Sequence, residues 1–342
     1  HGAGIKVKDI ASWVGTGWSL QAGGMILRTV RGKLDNSGIG IKALYAAGFD
    51  PDNFQPNDNA ADRQLAENLM SGWDGDPDLY SYNFMGYSGQ FIIDKDDSIR
   101  LFSTEDMDIS YEANAGINKF IVKTGDGLNF EFEDKENSFY DFDNSALNYT
   151  SAWYLSRITT KTEIFTFQYS PESVNYDLTF SESEAGKITG DVQDCPYGQG
   201  AQLSLGTAVF VDQLRLTSIS GPYGTATFTA NSSRTDLHGA KALDMISYQD
   251  KSVELLYTPS NRLFLDRVRL SATNEEDNTY LLYYNPIELP ETTSLSQDHW
   301  GYYNGQRNFT LMPRMDGFSN GGNREPKWDL MQERDLQQER IV

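Results

Sequence analysis

Five times along this chain a short apolar strand runs through a polar turn into a second strand of alternating aromatic residues. Residues 120–123 lead through Thr124-Gly125-Asp126-Gly127 to 128–132, and 153–158 lead to 165–169. The unit returns at 214–219 with 226–228, at 243–248 with 253–257, and at 265–270 with 280–284. A hairpin of this kind cannot bury its apolar face alone, so its neighbours must stack beside it. The uneven spacing of the copies argues for a degenerate repeat and against a strict solenoid. The expected fold is mainly β, a large curved antiparallel sheet of stacked β-hairpins. Composition agrees: 19 Tyr and 18 Phe suit pleated, half-buried surfaces, and 30 Gly supply turn conformations.

Residues 1–316 read as a single β-rich region, with a sub-boundary near 72–79. Residues 11–20 hold a tight glycine loop flanked by Trp13 and Trp18, and the segment 23–32 that follows reads as a strand. Met25, Leu27 and Thr29 fall on one face of that strand, Ile26 and Val30 on the other. Residues 33–60 carry the Asp, Asn, Pro and Gly clusters of loops. One short helix is expected over 61–71, capped by Asp58 or Asn59, with Leu65 and Leu69 on one face and Gly72 at its end. A turn over 73–78 feeds a strand over 79–84. Residues 181–207 break the rhythm and read as a long surface excursion. The segment 317–342 is a polar tail, either mobile or helical over 327–339.

Net charge is −21, and a surface this acidic repels phosphate backbones, which sets nucleic acid aside as a partner. A single cysteine, Cys195, excludes an intrachain disulfide and a cysteine zinc cluster. No segment approaches the roughly 18 apolar residues of a membrane helix. His1 opens directly onto Gly2-Ala3-Gly4, which reads as mid-domain sequence, so the chain is expected to be a piece of a longer protein.

The segment Ala11-Ser12-Trp13-Val14-Gly15-Thr16-Gly17-Trp18-Ser19-Leu20, with Gly23-Gly24 and Ile26-Leu27-Arg28, resembles the opening of bacterial Rhs/YD-repeat-type proteins. A related Gly-x-Gly-Trp-Ser-Leu element occurs in the shell-forming B component of insecticidal Tc toxins. Further segments fit the same family in order: Pro77-Asp78-Leu79-Tyr80-Ser81-Tyr82-Asn83-Phe84 with Gly86-Tyr87-Ser88-Gly89, then Tyr149-Thr150-Ser151-Ala152-Trp153-Tyr154-Leu155. Gln297-Asp298-His299-Trp300-Gly301-Tyr302-Tyr303-Asn304-Gly305 completes the set. The resemblance implies a region preceding the main repeat array of a secreted or cell-surface bacterial protein. In that family the repeats wind into a hollow β shell around a C-terminal effector or toxin domain. The chain lacks the long run of regular YD repeats and the self-cleaving segment. The implied partners are the remainder of the parent chain and its effector. Sheet edges would be curled closed or covered by other parts of that parent.

Five aromatic residues are candidate glycan-stacking positions: Trp13, Trp18, Trp300, Tyr302 and Tyr303. The alternative for Trp13 and Trp18 is core anchorage, with Gly15 and Gly17 permitting close backbone approach. Asp298 beside His299 has the composition of a general base, but without a nucleophile motif it reads as a structural hydrogen-bonding pair. Asp74, Asp76 and Asp78 alternate along a turn, as do Asp94, Asp96 and Asp97 along another, and such oxygen-rich loops suit calcium. Neither has EF-hand spacing, and no other cofactor is indicated. Three functions follow in order: a non-enzymatic shell segment, a glycan-binding surface module, and a glycan hydrolase. The last would need a deep cleft with facing carboxylates and a perturbed pKa.

Overall fold

The computed structural model describes residues 6–114, 116–142, 145–176, 180–185, 200–205, 209–298, 300–308 and 311. The elements run β1 (Gly24–Thr29), α1 (Ile41–Ala46), α2 (Ala60–Met70), β2 (Leu79–Phe84), β3 (Tyr87–Ile93), β4 (Ile99–Leu101), β5 (Met107–Ala113), β6 (Ile117–Thr124), β7 (Asn129–Phe142) and β8 (Ser145–Thr159). They continue β9 (Ile164–Tyr176), β10 (Phe180–Ala185), β11 (Gly200–Leu205), β12 (Val209–Gly221), β13 (Gly224–Thr229), β14 (Met245–Tyr248), β15 (Lys251–Pro259), β16 (Leu263–Ala272) and β17 (Asn278–Leu281). Among the described residues 15 strands form one antiparallel sheet, and β10 with β11 forms a separate ribbon.

All five expected hairpins are present as adjacent antiparallel pairs: β6–β7, β8–β9, β12–β13, β14–β15 and β16–β17. The helix expected over 61–71 is α2, where the Asn59 Oδ1 accepts the Ala61 N–H at 2.9 Å and Leu65 is buried. One expectation is corrected. Residues 33–60 contain the short helix α1, which buries Ile41 and Leu44 but starts at Gly40 without a side-chain cap. Within 181–207 the described residues form β10 and β11, paired in the same register that β9 keeps with β12. Tyr176 lies opposite Val209 and Phe180 opposite Leu205. Cys195 and the tail 317–342 lie outside the described residues.

Long-range pairing turns these hairpins into a wall. The ribbon β7–β8 has a different neighbour at each end of each outer edge. On β7 these are β6 at Asn129–Phe132 and β12 at Asn137–Tyr140; on β8 they are β1 at Ala152–Tyr154 and β9 at Arg157–Thr159. Because β9 also pairs with β12 along its length, β7, β8, β9 and β12 close a ring of pairings. Trp153 and Tyr154 therefore point to opposite faces, both covered. Trp153 packs with Tyr80 and Phe120, whereas Tyr154 packs edge-on against Tyr169 and donates to the half-buried Glu136 at 2.8 Å.

A single main core runs through the sheet, from Ile26, Tyr80, Phe84 and Phe91 through Phe120, Phe130 and Trp153 to Leu243, Leu255 and Leu265. Aromatic rings dominate it, which explains the aromatic-rich strands of the sequence. The segment containing Trp13 and Trp18 joins the first residues of the fold to the last hairpins. Trp13 stacks on Phe228 at 6.3 Å, its carbonyl accepts the Leu243 N–H, and the Thr16 N–H reaches the Leu263 carbonyl. Gly15 has φ +108°, and a Cβ there would stand 3.0 Å from the Leu265 nitrogen, so both conformation and space require glycine. Arg262, almost wholly buried, donates to the carbonyls of Val7 and Asp9 and fastens the same junction.

Candidate functional site

On each inner strand face the apolar stripe gives way, one step along, to a polar residue. Side chains two apart on a strand share a face, so Arg28 follows Ile26 on β1 and Asn118 precedes Phe120 on β6. Lys135 of β7 lies opposite Trp153 of β8 and shares its face despite the bulges nearby. These polar ends line a cleft of about 610 Å³. Its other walls come from the loop holding Leu34, Asp35 and Asn36, from Lys42 of α1, from Tyr111 of β5, and from Asn148, Tyr149 and Thr150 of β8. Tyr80 and Trp153 form its floor, where it meets the aromatic core.

Beneath the cleft, Asp78 is fully buried. Its carboxylate accepts from Arg28, with Nε at 2.8 Å, and from the backbone N–H groups of Arg31 and Asp35. The Asp78 N–H returns a hydrogen bond to Asp35 Oδ1 at 2.8 Å. This reciprocal clasp holds the 31–35 loop against the start of β2. Arg28 also lies 5.9 Å from the Tyr80 ring centroid.

Burial, reinforced by the neighbouring Asp78 charge, pushes the Asp35 carboxyl up to about 6 from 3.8. Between about pH 4 and 6 the folded chain then retains a proton that the unfolded chain has released. The stability tied to this group is complete below about pH 4 and is lost as pH rises through about 6. Asp35→Asn keeps an acceptor for the Asp78 N–H and removes the titration. Its urea midpoint is expected to exceed that of the parent chain by more at about pH 7.5 than at about pH 4. Equal differences at the two pH values would overturn the assignment.

Burial also raises the Tyr80 hydroxyl above its ordinary pKa. The positive groups of the cleft are unevenly matched. Arg28 is paired with Asp78, and Lys42 reaches Asp97 at 2.6 Å. Half-buried Lys135 donates only to Asn118 Oδ1, at 3.2 Å, and has no carboxylate partner among the described residues.

The residues singled out from the sequence lie elsewhere, apart from Asp78 beneath the floor and Asp97 on the rim. Trp13 and Trp18 are partly buried against the core, and the Trp18 indole N–H donates to the Tyr284 hydroxyl at 2.9 Å. Trp300 is 58% exposed, while Tyr302 carries Lys6 at 5.8 Å over its ring and Tyr303 bridges Gln297. The buried Asp298 carboxylate accepts the N–H groups of Trp300 and Tyr302, each at 2.9 Å, which is a turn-forming role. His299 lies outside the described residues. Gly17, like Gly15, has positive φ, at +75°.

Asp74 accepts the backbone N–H groups of Lys33 and Asp76. Together with the Asp78–Arg28 pairing, this turns two of the three alternating carboxylates towards protein donors. Asp94 pairs with Arg100, and Asp96 accepts from Ser98. Among the described residues no group of three acidic, histidine or cysteine side chains is placed to hold a metal ion. No described helix is long and apolar enough to cross a membrane.

The fold and cleft define a mainly β protein with a polar recess at one end of an aromatic core. Compared with protein-family models, curated proteins and solved structures, the chain matches none.

Proposed function

We propose that this chain is a non-enzymatic β-sheet wall or cap segment of an Rhs/YD-type bacterial shell, exported to the surface or medium, and that it helps house a C-terminal effector. The observation that carries the reading is the sheet's unfinished end. β17 pairs only with β16 among the described residues, and all four of its residues are exposed. Tyr280 and Leu281 are more than half exposed there, and Tyr283 just beyond is 87% exposed. An open apolar edge is an association hazard in an isolated domain and a joint in a larger sheet. The order of hairpins along the path, each laid beside its predecessor from β12 to β17, has the geometry of a wall that extends by adding strands.

Hydrogen–deuterium exchange on the longer parent polypeptide tests this directly. The β17 amides are expected to exchange at least about tenfold more slowly there than in the 342-residue chain, because a neighbouring strand occupies the edge. Equal rates in the two would overturn the wall reading.

A further inference from the structure

We infer that the cleft above Tyr80 and Asp35 is a binding site for a neutral, hydroxyl-rich ligand of the saccharide class. Three observations on its surface lead there. First, two almost wholly buried side chains present unused polar capacity. The Tyr80 hydroxyl has no hydrogen-bond partner among the described residues, and Asp35 uses only Oδ1, towards the Asp78 N–H. Both groups line the cleft, so a ligand that enters it can take up the hydrogen bonds that water otherwise satisfies there.

Second, the charges cancel in pairs and leave one of each sign. Arg28 is matched by Asp78 and Lys42 by Asp97, so Lys135 and Asp35 remain as an uncompensated donor and an uncompensated acceptor. An anionic ligand would meet the Asp35 carboxylate, and a cationic one the Lys135 ammonium. A neutral polyol suits both, because each hydroxyl can accept from the ammonium or donate to the carboxylate. Third, Asn118 and Asn148 add amides that both donate and accept. The volume, about 610 Å³, lies within the roughly 300–1,000 Å³ of small-ligand sites.

This site is distinct from the exposed Trp300 and does not depend on the wall reading, since it concerns the opposite part of the sheet from β17. The test is a glycan array carrying neutral oligosaccharides ending in hexose or N-acetylhexosamine beside sialylated and uronic-acid glycans. Titration calorimetry with the best-bound neutral oligosaccharide then compares three variants. The parent chain is expected to retain neutral glycans in preference to acidic ones. Lys135→Ala is expected to weaken binding at least about tenfold, the loss of one charge-assisted hydrogen bond. Tyr80→Phe removes only a hydroxyl without a protein partner, so it leaves the fold intact, and it is expected to weaken binding about fivefold to tenfold. Tyr283→Ser, at the far edge, is expected to change nothing. Absence of neutral-glycan binding by the folded chain, a preference for acidic glycans, or unchanged affinity in Tyr80→Phe would each overturn the inference.

Discussion

Replacing Asp78 with alanine is expected to lower the unfolding free energy by about 3–5 kcal/mol, the cost of stranding a buried charge. The partner left behind is Arg28, whose side chain is almost as buried as Asp78 itself. The backbone N–H groups of Arg31 and Asp35 lose their acceptor in the same step. Asp78→Asn keeps an acceptor for those amides and should fall between parent and alanine variant. Adding Arg28→Met to Asp78→Ala removes the stranded guanidinium and is expected to restore part of the loss. Urea unfolding of the four proteins checks this. A single-mutant cost below about 1 kcal/mol, the range of surface pairs, would show that the clasp is not structural.

The second large effect is expected at Trp153, where Trp153→Ala should cost about 3–5 kcal/mol. Its indole is 1% exposed and stands at right angles to Phe120 with centroids 5.0 Å apart. The indole N–H also satisfies the Ile117 carbonyl at 3.2 Å, which alanine would leave orphaned. Trp153→Phe retains a ring against Phe120 and should cost clearly less. The position decides more than local packing, because β8 is the strand on which β1, β7 and β9 converge. If Trp153→Ala unfolded at the parent's denaturant concentration, the aromatic floor of the cleft could not be what joins β1 and β2 to the β7–β8 ribbon.

The hairpins and α2 were legible in the sequence because each needs only neighbouring residues. A polar turn brings adjacent strands together at small loop-closure cost, and Asn59 marks a helix start by its own hydrogen bond. The short helix α1 gave no such signal: six residues, a glycine at its start, and stability drawn from burying Ile41 and Leu44. For the glycine loop around Trp13 and Trp18 the sequence left core anchorage and glycan stacking both open, and the structure packs both indoles, partly buried, against the main core. The loop's docking surface, on β13, β15 and β16, was not legible, because nothing local names a partner some 250 positions away.

The cleft marks the same division. Its only trace in the sequence is phase: Arg28 and Asn118 stand where the inward alternation calls for an apolar side chain. Asp35 and Lys135 carried no mark at all, being ordinary loop and strand charges until the chain folds. Which strand lies beside which was settled by tertiary packing among many segments of equal β tendency, where register depends on burying both faces at once. Composition and alternation determined that this chain forms a sheet with an aromatic core. The closure of β7, β8, β9 and β12, and the gathering of Arg28, Asp35, Tyr80 and Lys135 into one recess, were decided only when that core had to be covered on both sides.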